Sequence, residues 1–397
     1  MNTPLVSRRG FLQSVGAFGI GLSCGWRGSP LLRADDTVVQ PAGKRLIVRT
    51  ADPFNAEGVV DKLLSNWITP LESFYVRNHG PTPHLVTAEH QLSIEGLVDR
   101  PLKLSIAELL QKFPKYQTTA TLTCAGNRRN EFQGPKIGGV QWGTGAVGNA
   151  QWSGVTLAAV LRHVGLQNGA RHVWFEGADI IKDKAESYPF GGSIPLEKVL
   201  DVDAALPQAL LATHMNDQPL TAEHGAPLRT IVPGYIGARS VKWLNRIVVS
   251  DRPSPNHYLA HAYKLIADEK LATIEAAEPI YEIAINSIAA APAADAAKDT
   301  GDITLRGWAL PGGKTGSTIK RVEISTDDGQ SWKAAQIGTP NQAACWAFWS
   351  VPIARGSQSV WVRATDSTGL TQPREMVWNA KGYQYNAWQQ LKLSQGN

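Results

Sequence analysis

One cysteine stands where chemistry is easiest to build. In Thr121-Leu-Thr-Cys124-Ala-Gly-Asn127-Arg128-Arg129-Asn130-Glu131 it follows a β-rich run, Thr118 to Thr123, and a small-residue turn sets two arginines just beyond it. A thiolate is a soft donor suited to a transition metal, and cationic neighbours favour that form. The arginines could also hold a small oxyanion through charge-assisted hydrogen bonds. A buried structural cysteine beside a solvated basic turn has the same spacing. Two further stretches end in polar, basic residues. Phe74-Tyr75-Val76-Arg77-Asn78-His79 reads as an apolar strand broken at Gly80-Pro81, and Gly237-Ala-Arg239-Ser240-Val241-Lys242-Trp243 mixes small residues with cations. Loops on a rigid scaffold are where site residues are presented.

Two tempting patterns carry no function. Gly143-Thr-Gly145-Ala-Val-Gly148 has the spacing G-x-G-x-x-G. No clear buried strand precedes it, no amphipathic helix opens after it and no acid follows at about 20 residues, so it is not a dinucleotide fingerprint. His257 and His261 stand at i, i+4 without an intervening glutamate or an evident third ligand, which argues against zinc.

Taken together, Cys124-Ala-Gly-Asn-Arg-Arg129, the Arg77-Asn-His79 segment upstream and Gly237 to Trp243 downstream resemble the sulfite oxidase family of molybdenum enzymes. The resemblance extends over essentially residues 60–397. It implies a molybdenum–molybdopterin cofactor with Cys124 as the protein's only metal ligand. Tyr75, Val76, Arg77, Asn78, His79, Asp179, His224, Arg229, Arg239, Ser240, Val241 and Lys242 would hold the cofactor. Arg, Lys, backbone amides and glycines suit a phosphate-bearing, polar pterin. Arg77, Arg129 and Tyr263 would hold the substrate oxyanion, with Trp142 as pocket wall. The implied activity is oxidation of sulfite to sulfate, with electrons passed to a separate c-type cytochrome. Sulfane-sulfur dehydrogenation or S-oxide reduction on the same scaffold is the alternative, and a cofactor-free interaction protein is the rival from another class. One residue departs from the family pattern. Trp378-Asn-Ala-Lys381-Gly382 has lysine where an arginine often precedes the glycine, which keeps the charge and loses the fork.

The elements that must position these residues come from composition and punctuation. The chain has 397 residues, 43% hydrophobic and 18% charged, long enough for two domains. An α+β molybdopterin domain is expected over 35–280 and an all-β immunoglobulin-like sandwich over 281–397, the part through which the resembled family dimerises. Ser105 caps a helix Ile106 to Lys112, a second helix is read from Trp152 to a stop at Gly165, and Val173–Asp179 is a strand entering a turn. Beyond an alanine-rich linker (289–301), strands are expected at Ile303–Ala309, Ile319–Ser325, Trp332–Ala335, Cys345–Val351 and Ser359–Thr365.

Residues 1–34 read as an export signal: Ser7-Arg8-Arg9-Gly10-Phe11-Leu12 followed by a weakly apolar run too short to span a bilayer. Twin-arginine export carries folded protein, which suits a cofactor loaded in the cytoplasm, and implies a periplasmic location. The leader holds four arginines and no acid, so its removal takes the formal charge from +5 to about +1. That balance gives no reason to expect nucleic acid as a partner. Cys124 and Cys345 would remain, over 200 residues apart and no disulfide framework.

Overall fold

In this chain hydrophobic patterning is answered by sheet more often than by helix. The computed structural model describes residues 46–183, 186–200, 207–290, 302–313 and 316–393; the leader and most of the alanine-rich stretch lie outside them.

Two five-stranded sheets build the N-terminal part. In the first, Lys115–Thr123 pairs antiparallel with Val147–Thr156 along its whole length, and Val147–Thr156 pairs with Leu210–Met215. In the second, Leu102–Ser105, Gln91–Gly96, Leu244–Ser250, His172–Asp183 and Glu186–Pro195 lie in that spatial order. Gln91–Gly96 and Leu244–Ser250 are parallel, so the chain crosses the whole domain before returning beside its own early strand. Helices are short. Ile106–Lys112 starts on a capping box in which Ser105 and Glu108 satisfy each other's backbone N–H groups. Leu157–Val164 buries Leu157, Val160, Leu161 and Val164 against the core and stops at Gly165, whose φ of 73° needs glycine.

Several expectations are corrected. Helix content is lower than α+β implies, because Trp152–Thr156 finishes a strand and the second helix starts only at Leu157. Trp152 and Val155, three residues apart, are both fully buried but in different clusters, on either side of a register shift between Ser153 and Gly154. The strand from Val173 does not turn at Asp179 but runs to Asp183 and returns at Glu186. Phe74–Val76 is no strand: Leu71–Ser73 is a 3-10 turn, and Val76 makes a single bridge to Ala56. Gly145 and Gly148 are needed for packing, since a Cβ at either would strike the backbone of Gly58 or the ring of Phe74. His257 precedes a short π-helical turn, Tyr258–Ala262.

The C-terminal part is two four-stranded antiparallel sheets. One runs Asn286–Ala290, Ile303–Leu310, Ala347–Ile353, Gln336–Ile337; the other runs Lys333–Ala334, Ile319–Ser325, Ser359–Asp366, Gln389–Lys392. Leu305, Ala309, Val322, Ile324, Val351, Val360 and Val362 close one core between them. Ala289–Ala290, read as linker, end a strand, and the strand expected over Trp332–Ala335 shrinks to Lys333–Ala334, with Gln336–Ile337 a separate strand of the other sheet. Trp67 and Trp346 each donate an indole N–H to the other's carbonyl at 3.0 Å, tying this part to the N-terminal one. Among the described residues no helix is long and apolar enough to cross a membrane.

Candidate active site

The register of one hairpin sets the cysteine. Thr123 pairs with Val147 at the end of the ladder, and the Cys124 N–H donates to Ala146 O at 2.9 Å. The chain then turns tightly: the Asn127 N–H reaches Cys124 O, the Gly126 N–H reaches Cys124 Sγ at 3.4 Å, and Asn127 Oδ1 accepts from the Ala146 N–H. Arg128 follows at φ 65°, a left-handed conformation that costs a non-glycine residue about 1–2 kcal/mol. Its fully buried guanidinium offsets this, pairing with Glu131 and donating to Asn286 Oδ1 and Ala387 O at 2.7 and 2.9 Å. Arg129 points the other way and donates to Gly382 O and Val140 O over the ring of Tyr383. The two arginines, alike in sequence, thus divide the work: one bolts the turn to the C-terminal part, the other faces a cavity.

Two cavities meet at Cys124, and Arg77 and Tyr263 also line both. The first, of about 660 Å³, is lined by Tyr75, Arg77, Asn78, His79, Asp179, His224, Arg229, Ser240 and Lys242. Sequence reasoning missed Phe74, Phe190, Glu223, Ala238 and Trp243 on its wall; they flank the motifs but carry no pattern of their own. Val76, Arg239 and Val241 do not line it. Arg239 lies behind, donating to Ile280 O and Tyr258 O, and Val241 is tied through its N–H to Thr230 Oγ1.

Charge in this cavity is unbalanced toward cations. Burial, then Arg229, drags the Lys242 ammonium well below its ordinary range; its Nζ is held by Asn78 Oδ1 and Glu223 O. Burial likewise lowers Arg229 to about 10. His79 falls well below its usual value through burial and then Arg77, and His224 drops to about 3 through burial and then Arg229, so both imidazoles are neutral. Asp179 is raised to about 6 by burial, and its Oδ1 has no hydrogen-bond partner.

The second cavity, of about 640 Å³, is lined by Arg129, Gly138, Gly139, Trp142, Glu269, Ala380, Lys381 and Tyr383 besides the three shared residues. Trp142 is wholly buried, and its indole N–H lacks a partner. Tyr263 stacks on Tyr383 at 5.0 Å, and its hydroxyl lies 3.0 Å from His79 Nε2. Lys381 pairs with Glu269 at 3.1 Å. Tyr383 and Glu269 went unread in the sequence; the only signal for Tyr383 was its place two residues past Lys381.

This lining fits a molybdenum–molybdopterin group. Buried cations call for an anionic phosphate, an unpartnered buried carboxylate oxygen calls for N–H donors, and a thiol where both cavities meet suits a soft metal. The family called Oxidoreductase molybdopterin binding domain matches residues 79–258, and the one called Mo-co oxidoreductase dimerisation domain matches 277–396. The chain is therefore a molybdopterin oxidoreductase by class. It is 38% identical to mitochondrial sulfite oxidase of Drosophila melanogaster over 90% of its length, and 37% identical to sulfite oxidase of Gallus gallus over 88%. It spans 63% and 78% of those proteins. The sulfane dehydrogenase SoxCD structure from Paracoccus pantotrophus superposes with a TM-score of 0.74 at 26% identity, covering 94% of this chain and 92% of that one. The chain belongs to the sulfite oxidase family, and its cofactor is molybdenum–molybdopterin.

Proposed function

We propose that this protein oxidises sulfite to sulfate, with Cys124 as the protein's ligand to molybdenum. The observation that carries the reading is the cavity in which Arg77, Arg129 and Lys381 converge on Cys124. Sulfite and water become sulfate, two protons and two electrons; the molybdenum group, when bound, supplies the oxygen-atom and two-electron chemistry. The chain supplies position and charge. Arg77, Arg129 and Lys381 neutralise the oxyanion, and wholly buried Trp142 offers its unpartnered N–H on the same wall. Neutral His79 shares a hydrogen bond of 3.0 Å with the Tyr263 hydroxyl and fixes that phenol beside the cavity. In the first cavity, Asp179, Arg229 and Lys242 hold the pterin and its phosphate. Electrons leave singly to a separate protein, a c-type cytochrome of the same compartment.

Sulfane-sulfur oxidation is the second reading. It is favoured by the SoxCD likeness and by lysine at 381, where the family pattern has arginine. Assay of molybdenum-replete protein with sulfite and with thiosulfate, using a one-electron acceptor, separates the two; turnover of thiosulfate alone rejects the first. Cys124→Ser should give folded protein with less than about a hundredth of the activity, because a hydroxyl is a poor soft ligand. Near-normal turnover would remove Cys124 from the metal.

The C-terminal sheets are read as an immunoglobulin-like sandwich that forms the interface of a homodimer. Their strand orders, first–second–sixth–fifth in one sheet and fourth–third–seventh–eighth in the other, support this. Sedimentation as a monomer at micromolar concentration would reject the dimer. Residues 1–34 are read as a twin-arginine leader to the periplasm. Arg8→Lys with Arg9→Lys should leave the protein in the cytoplasm, and export of that variant would sink the localisation.

A further inference from the structure

The substrate-facing cavity has an acid at its mouth. Residues 265–278 leave the fold as an excursion closed at its base, where Ile280 N donates to Tyr263 O at 2.8 Å and Lys264 bridges Pro279. Beyond Ile266, which is buried and accepts from the Ala380 N–H, the excursion contributes no buried residue; its helix Leu271–Ala276 has none. It nevertheless carries Glu269 into the cavity wall, where Glu269 Oε1 meets Lys381 Nζ at 3.1 Å. Lys381 is otherwise a cation facing the same space as Arg77, Arg129 and Cys124.

We propose that Glu269 is a specificity gate: its carboxylate occupies Lys381 while the cavity is free of anion, and a doubly charged oxyanion displaces it. The inference rests on the reading of this cavity as an oxyanion site. A carboxylate and a sulfur oxyanion offer the same acceptor chemistry to an ammonium, so one can stand in for the other. Glu269 is 61% exposed and Lys381 25%, so the pair is water-screened and weak enough to open on each encounter. Three cations without an opposing acid would bind product sulfate as readily as substrate. The acid lowers retention of any anion, product sulfate included, and leaves singly charged anions at a disadvantage.

The test is sulfate binding to the molybdenum-replete protein, measured by calorimetry at low and high salt, which does not depend on turnover. Glu269→Gln should tighten sulfate binding about two- to fivefold at low salt, the range expected of an exposed pair, and less at high salt. In a Lys381→Met background the same substitution should give less than half that gain, because the cation it competes for is gone. Unchanged or weaker sulfate binding in Glu269→Gln, or an equal gain without Lys381, overturns the gate. Wild-type protein that binds sulfate but turns over only another sulfur compound would reject the sulfite reading and leave the gate standing.

Discussion

Arg77 and Arg129 reach one cavity with different support, and their substitution should show it. Arg129 donates to Gly382 O and Val140 O and lies over Tyr383, so it holds the C-terminal loop as well as lining the cavity. Arg77 is anchored to Asn55 Oδ1 at 3.1 Å and to the carbonyl of its neighbour Asn78. Each guanidinium offers a charge-assisted contact worth about 1.5–3 kcal/mol, or roughly ten- to a hundredfold in affinity. Arg77→Gln and Arg129→Gln should both raise KM for sulfite by that order. Arg129→Gln should also lower thermal stability, because Gly382 O loses its donor and Val140 O keeps only the Trp142 N–H; Arg77→Gln should do so less. Steady-state kinetics beside thermal denaturation checks both. If KM moves for neither variant, the oxyanion is held elsewhere.

Among the elements, the hairpin His172–Asp183/Glu186–Pro195 has the largest consequence. Because the strand continues past Asp179, that carboxylate is held in the irregularity between the paired residues Glu176 and Ile180 and buried, instead of lying on a loop open to water. Its folded pKa of about 6 lies above the ordinary value of 3.8, so between these values the folded protein binds more protons than the unfolded chain. The Asp179 contribution to the stability of cofactor-free protein should therefore be fully present below about pH 4 and lost as pH rises through about 6, by about 3 kcal/mol, against the opposite trend from the buried neutral His79 and His224. Asp179→Asn should remove this contribution, so its stability difference from wild type should change by about that amount between pH 4 and 7 in denaturant titrations of cofactor-free protein; a pH-independent difference would assign no such role to Asp179. The same element shows where sequence reading stopped. Capping chemistry is local, so the helix Ile106–Lys112 was legible to the residue. Most C-terminal strands were legible to within two residues at each end, since turn residues bracket them. Trp152–Thr156 and Ile180–Asp183 were not: their strand state is decided by partners 60 residues away and by a hairpin return, neither of which leaves a local mark. Motif residues at the first cavity were legible because basic and small residues cluster in sequence. Glu269 and Tyr383 were not, because they reach the second cavity from an excursion and a C-terminal loop that only the fold brings together.

For the whole molecule the decisive feature is that neither half owns the second cavity. Cys124, Arg77 and Arg129 come from the N-terminal part, while Ala380, Lys381 and Tyr383 come from the far end of the chain. What keeps the halves in register at the Cys124 turn is Arg128, wholly buried, joined to Asn286 and Ala387 across the boundary and lying over Tyr385. Gln384 adds a backbone bond from its N–H to Ala125 O at 2.7 Å. Arg128→Met keeps the stem and removes the donors. It leaves Asn286 Oδ1 and Ala387 O without them in a dry boundary, while Glu131, partly exposed, can rehydrate. The cost should be about 2–3 kcal/mol in urea denaturation, below that of breaking a fully buried ion pair. Arg374→Gln, which removes an exposed pair with Asp328, should cost under about 0.5 kcal/mol. Loosening the boundary should also raise KM for sulfite, although Arg128 lines neither cavity, because Lys381 and Tyr383 would no longer be held at fixed distance from Cys124. A variant with lowered stability and wild-type KM would show that the C-terminal loop holds its place without this bolt, and that the two halves are coupled in folding but not in binding.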